Sequence, residues 1–299
     1  MTSLELRATA LSETAQAAVL HGRRALDGLL MTRDPKAPAM REVRDLTIPG
    51  PGGEMRARLY VPANAYEDPG PGLVYFHGGG FAFCDIDTHD SMCRWLAGAS
   101  AVRVLSIDYR RAPEHVFPAQ IEDAFAATDW ARDHMAELGF DGERFAIGGD
   151  SAGGYLAASV ANVLNCAGEE RPIALQLLIY PLLHLEPDIW AGGRFGEWRL
   201  MGRYAVRDIR RRMVAPVPNL LGAAPPCAPP AIVTWGEMDP VKADARTYAA
   251  ELAALGVPVT ARRYARLPHG YGNFTTVLAG ARKAMEDTGE LLGKGLGAL

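Results

Sequence analysis

The pentapeptide Gly149-Asp150-Ser151-Ala152-Gly153 constrains this chain more than any other feature, because of what flanks it. The apolar run Phe145-Ala146-Ile147 before it reads as a strand, and the stretch from Tyr155 to Leu164 after it reads as a helix. A GxSxG sequence in that setting is a nucleophile elbow, where the flanking glycines permit a strained turn that lifts the serine oxygen clear of the top of a sheet. A chain with 32 glycines can contain the pentapeptide by chance, so the placement carries the reading.

Upstream, Gly72 to Phe76 reads as a buried strand running directly into His77-Gly78-Gly79-Gly80-Phe81. Three successive glycines after a strand expose bare backbone N–H groups, the donors that acyl transfer needs for its developing oxyanion. Each such donor is worth roughly 2.7–4 kcal/mol in other enzymes. A nucleophilic serine also needs a base, and the base needs an orienting carboxylate. In the serine–acid–histidine order of this elbow, only His184 and His269 follow Ser151. His269 is the better candidate, in the loop Pro268-His269-Gly270-Tyr271-Gly272 between a strand-like stretch, Val257 to Tyr264, and a final helix from about Thr275. The acid is expected after the strand Ala231 to Trp235, which points to Asp239, with Glu237, Asp244, Asp188 and Asp208 as competitors. Pro240 fixes the turn after Asp239 and disfavours a helical backbone at the aspartate.

Taken together, these segments resemble the hormone-sensitive-lipase family of α/β-hydrolases, the group marked by HGGG and GDSAGG. His77 to Gly80 match the first motif and Gly149 to Gly154 the second. Asp108 to His115, Ile179-Tyr180-Pro181, Asp239-Pro240 and His269-Gly270-Tyr271 follow in the family's order. The resemblance implies an α/β-hydrolase fold: a mostly parallel central sheet, helices on both faces and a helical cap. It implies Ser151 as nucleophile, His269 as general base and acid, Asp239 as its partner, and an oxyanion hole of Gly79, Gly80 and Ala152, with Gly78 left open. It further implies that Asp108 to His115 brace loops near the site, that Asp150 belongs to the turn, and that no cofactor is used. The chain departs from the family at Tyr155, where asparagine is usual, at Tyr271 and Gly272 after the histidine, and in the residues after Pro240. These departures bear on the shape of the pocket more than on its chemistry.

Length and composition fit one domain of 299 residues with 48% hydrophobic content. A net charge of −4 argues against nucleic acid as a partner. The four cysteines form neither a CxxC pair nor a zinc-like Cys/His cluster, so no metal is expected, and they read as reduced thiols, with Cys84 a small buried hydrophobe. No signal peptide or membrane-spanning run is apparent, and the expected location is cytoplasmic. Relatives in the family include homodimers, but nothing in the sequence marks an interface.

Val43 to Ile48 and Met55 to Val61 read as a strand pair around a Pro/Gly turn, after which strands and helices alternate. Residues 182–230 interrupt that alternation, and the resemblance assigns them, with about residues 1–42, to the cap. Phe81, Tyr155, Trp190 and Trp198 are candidate pocket residues, with Phe195, Met201 and Tyr204 as further roof positions. Arg194, Arg199, Arg203, Arg207, Arg210, Arg211 and Arg212 offer either a solvated helix face or recognition of an acidic substrate group. The expected activity is hydrolysis of short to medium acyl esters. Alternatives on the same fold are an N-acyl amide hydrolase, a non-hydrolytic biosynthetic enzyme and a small-molecule receptor.

Overall fold

The computed structural model describes residues 33–65, 69–168, 172–185 and 217–299, together with His21 and Gly28. Within them the apolar runs become eight strands: β1 Met40–Gly50, β2 Gly53–Pro62, β3 Gly70–Phe76, β4 Arg103–Ile107, β5 Phe140–Asp150, β6 Leu175–Ile179, β7 Ala231–Gly236 and β8 Val259–Tyr264. Helices α1 Asp90–Ser100, α2 Ala119–Asp133, α3 Met135–Leu138, α4 Ala152–Cys166, α5 Lys242–Ala254 and α6 Ala279–Gly295 run between and after them. The strand order is β1-β2-β4-β3-β5-β6-β7-β8. Pairing is antiparallel from β1 through β2 to β4 and parallel from β4 to β8. The mostly parallel sheet read from the alternating pattern is therefore present, with the expected hairpin at its start.

Burial explains which sequences became which strands. Every residue of β3, β4 and β6 is buried, as mainly apolar strands covered on both faces must be. In contrast β1, at the sheet edge, alternates and exposes most of its residues. Helices α2, α4 and α5 pack one core, with Ala124, Ala157, Ala245 and Phe76 among its members. The other face packs α1 and α6 through Met92, Leu96, Ala284 and Met285.

The chain leaves β3 toward β4 on one side and later returns to β5 on the other, so β3 and β5 are neighbours whose connections diverge. At such a switch point the carboxyl ends of adjacent strands open a crevice where ligands bind. The glycine loop follows β3 and the nucleophile elbow follows β5, so both stand at that crevice.

One expectation is corrected here. Cys166 and Cys227 form a disulfide, although all four cysteines read as reduced thiols. The pair is separated by 61 residues and is brought together only when the end of α4 meets the loop before β7, which no local spacing rule can detect. Disulfides persist in oxidising compartments, so the cysteines no longer argue for the cytoplasm. Cys84 and Cys93 are outside any disulfide and buried, as expected for Cys84. Among the described residues no helix is long and apolar enough to cross a membrane, and no cluster of His, Cys, Asp or Glu has a metal-binding arrangement. Most of the expected cap, including Trp190, Phe195, Trp198, Met201, Tyr204 and the arginines from 194 to 212, lies outside the described residues, as do Asp188 and Asp208.

Candidate active site

Ser151 sits between β5 and α4 with φ 51° and ψ −116°, a conformation that L residues avoid. The turn is held by its neighbours: the Ser151 N–H donates to the Ile179 carbonyl at 3.0 Å, and its carbonyl accepts from Leu182 at 3.0 Å. Strain of this kind costs on the order of 1–3 kcal/mol and persists only where surrounding structure enforces it. Gly153 is required for space, since a Cβ there would run into the Phe76 carbonyl of β3.

The Ser151 hydroxyl lies 2.8 Å from His269 Nε2, and His269 Nδ1 lies 2.8 Å from Asp239 Oδ2. An ionised carboxylate can only accept, so Nδ1 carries the hydrogen that faces Asp239 and the Nε2 lone pair faces the Ser151 hydroxyl. Asp239 is buried at the end of β7, and its second oxygen accepts the Val241 N–H at 2.7 Å, the turn that Pro240 favours. Burial alone would lower the His269 pKa, but Asp239, by charge and hydrogen bond, and then Asp150 and Asp244 outweigh it and raise the ring above its usual 6.5.

The competitors stand elsewhere. Glu237 pairs with Arg263 at 3.0 Å on the surface. Asp244 is buried, and one of its oxygens accepts the backbone N–H groups of Leu183 and His184 at 2.8 and 2.9 Å. Burial pushes the Asp244 carboxyl up to about 7 against the pull of those two donors. It pins the stretch after β6 to α5, a role for which the sequence carried no signal beyond its nearness to Asp239. His184 lies in that same stretch, while His269 faces the serine.

Across the crevice, Gly79 has φ 110° and Gly80 φ 59°. A Cβ on Gly79 would strike the Phe83 carbonyl, so the loop needs glycine there for space as well as torsion. The Gly78 N–H is committed to Asp150 at 2.8 Å, whereas those of Gly79 and Gly80 make no backbone bond among the described residues. Ala152 opens α4, and the first N–H groups of a helix have no intrahelical acceptor. The helix dipole adds partial positive charge at this end.

Of the segment Asp108 to His115, Tyr109, Arg111 and Ala112 reach the glycine loop and the residues after it. The Tyr109 hydroxyl donates to the His77 carbonyl at 2.8 Å, and the two rings stack at 4.3 Å. Arg111 donates to the Cys84 carbonyl, and the Ala112 N–H to the Phe81 carbonyl at 2.9 Å.

Phe81 and Tyr155 are both buried and meet edge to face at 5.8 Å, Tyr155 lying one helical turn beyond Ser151. The Tyr155 hydroxyl donates to the Pro218 carbonyl at 2.9 Å, which ties α4 to the exit of the 182–230 insertion. Tyr271 uses its extra hydroxyl on Thr234 of β7 at 2.9 Å, holding the histidine loop to the strand that carries Asp239. Tyr180, at the end of β6 with φ 37°, lays its ring against His269 at 5.1 Å. Sequence reading gave Tyr180 no role, although an aromatic residue between a buried strand and a proline is a visible signal.

A family model described as alpha/beta hydrolase fold matches residues 73–273. The chain is a member of that family. Its match covers both the glycine loop and His269, and the chain falls among the hormone-sensitive-lipase-like hydrolases. This α/β-hydrolase is 38% identical over 265 residues to Esterase LipI of Mycobacterium tuberculosis, covering 85% of this chain and 82% of that one. It is 33% identical over 220 residues to an ethyl acetate hydrolase of Pseudomonas putida, covering 70% and 68%. Among solved structures, an ester hydrolase from the metagenome of Lake Arreo, complexed with a bipyridine phosphonate derivative, superposes with a TM-score of 0.83. That protein is 36% identical, with coverage of 93% of this chain and 91% of that one.

Proposed function

We propose that this carboxylic ester hydrolase works by two acyl transfers through Ser151, His269 and Asp239, on esters of short to medium acyl chains. The observation that carries the proposal is the hydrogen-bond chain from the Ser151 hydroxyl through both nitrogens of His269 to the buried Asp239. Ser151 Oγ attacks the ester carbonyl while Nε2 takes its proton. The carbonyl oxygen becomes an oxyanion held by N–H groups of Gly79, Gly80 and Ala152. Collapse of that intermediate expels the alcohol, which takes the proton back from Nε2. A water then attacks the acyl-serine, its proton passing to Nε2, and the acid leaves as the serine is restored. Asp239 keeps Nδ1 protonated and stabilises the imidazolium formed in each step. The likeness to an ethyl acetate hydrolase supports a short acyl chain, and Phe81 and Tyr155 are proposed to shape the pocket behind the nucleophile.

The test is turnover of p-nitrophenyl acetate, butyrate, octanoate and palmitate by the wild type, Ser151→Ala and His269→Ala. Rates that peak at the short chains and fall by roughly 10³-fold or more in both variants are expected. Ester turnover that survives Ser151→Ala would overturn the acyl-serine route.

A further inference from the structure

Asp150 is the last residue of β5 and precedes the nucleophile. A turn of this kind needs glycine around the serine, but it does not need a carboxylate. Burying a charge is costly unless it is paired and hydrogen-bonded, so an aspartate only 2% exposed at this point calls for a physical account. Its Oδ1 accepts the Gly78 N–H at 2.8 Å and the Tyr75 hydroxyl at 2.8 Å, and faces His89 Nε2 at 3.3 Å. Burial would raise this carboxyl, yet His89, then the Tyr75 hydroxyl and His77, hold it below the usual carboxylate range.

Two of those partners lie on the segment that carries the glycine loop. Tyr75 is in β3, one residue before its end, and Gly78 is the first glycine of the loop. β3 and β5 pair in parallel with Phe76 opposite Gly149, so the two chains enter the site side by side. Beyond that last pair no ladder bond ties the loop to the elbow, and the Asp150 side chain makes the tie instead. The fit is close: a Cβ on Gly78 would run into the Asp150 carboxylate. Engaging the Gly78 N–H in the interior leaves Gly79 and Gly80 as the loop's donors.

We propose that Asp150 is a positioning residue, whose carboxylate sets the glycine loop against Ser151 so that the loop donors and Ala152 can act on one oxyanion. The inference rests on the acyl-transfer reading above. A misplacement of about 1 Å in such a constellation costs on the order of 10²-fold in rate. The effect belongs to the transition state, because the donors tighten as the oxyanion forms, so kcat carries the loss and KM does not.

The experiment is steady-state hydrolysis of p-nitrophenyl butyrate by the wild type, Ser151→Ala, Asp150→Ala and Asp150→Asn, with a thermal melt of each. Asp150→Ala is expected to lose about 10²-fold in kcat with KM changed less than about threefold. Asp150→Asn keeps an oxygen acceptor for Gly78 and Tyr75 and should recover most of that loss, remaining about three- to tenfold below the wild type. The proposal is overturned if folded Asp150→Ala keeps a kcat within threefold of the wild type, if KM takes the loss, or if the asparagine gives no rescue. Should Asp150→Ala fail to fold, Asp150→Asn decides: a lowered Tm with wild-type kcat would make the residue purely structural. Absence of Ser151-dependent turnover in the wild type would instead sink the acyl-transfer reading, so the two failures are distinct.

Discussion

His269 and Asp244 sit in environments that make measurable demands on pH. In the proposed mechanism His269 must be neutral to accept the serine proton, and Asp239 and the other carboxylates around it favour the charged ring. The expected kcat/KM therefore climbs with pH on a limb centred above 6.5. Asp239→Asn should move that limb to lower pH and reduce kcat by roughly 10³–10⁴-fold, since the ring loses both its charge partner and its tautomer control. A limb unmoved by Asp239→Asn would show that another group sets it. Asp244 gives the opposite kind of signal. Its folded pKa of about 7 lies above the unfolded 3.8, so the folded state binds the proton more tightly. The stability it contributes is complete below pH 3.8 and is lost as pH rises toward about 7. Asp244→Asn preserves an acceptor for Leu183 and His184 but cannot ionise. Its stability relative to the wild type should improve by on the order of 2 kcal/mol between pH 5 and pH 8 in urea melts. A difference that does not vary with pH would refute this account of the buried carboxylate.

At the scale of elements, the site depends on how strand ends and helix starts are fastened together. The elbow joins β5 to α4, Tyr271 fastens the histidine loop to β7, and Tyr155 and Asp244 fasten the two ends of the 182–230 insertion to α4 and α5. The Cys166–Cys227 bridge closes this part of the chain, since the loop between positions 61 apart includes β6 and most of the insertion. Closing a loop of that length stabilises by about 4 kcal/mol in the chain-entropy account. Replacing both cysteines with serine should therefore lower Tm by several degrees or more, and dithiothreitol should lower the wild-type Tm toward that of the double variant while leaving the variant unchanged. Equal melting of the wild type and the double variant under non-reducing conditions would mean the bridge does not form in solution.

Across the whole molecule, legibility followed sequence distance. Strands β3, β5 and β7, the hairpin of β1 and β2, and helix α4 were readable because each is encoded by a local pattern: an apolar run, a Pro/Gly turn, or a serine between glycines. Their limits moved by a few residues, as with β8, which starts at Val259 rather than Val257, and α6, which starts at Ala279 rather than near Thr275. Ser151, His269 and Asp239 could be singled out as candidates because each follows a strand within a few residues and has recognisable neighbours, and the chain order of the elbow excluded five of the seven histidines. By itself, then, the sequence determined the α/β architecture, the hydrolase family and a short list for each role, since hydrophobic period, turn chemistry and motif order are local properties of the chain. Only the tertiary structure decided that Asp239 rather than Asp244 meets His269, that Cys166 bonds Cys227, and that Asp150 grips Gly78, because those contacts span 30, 61 and 72 residues. Whether two such distant side chains meet depends on strand register and helix packing, which the whole folded chain sets together.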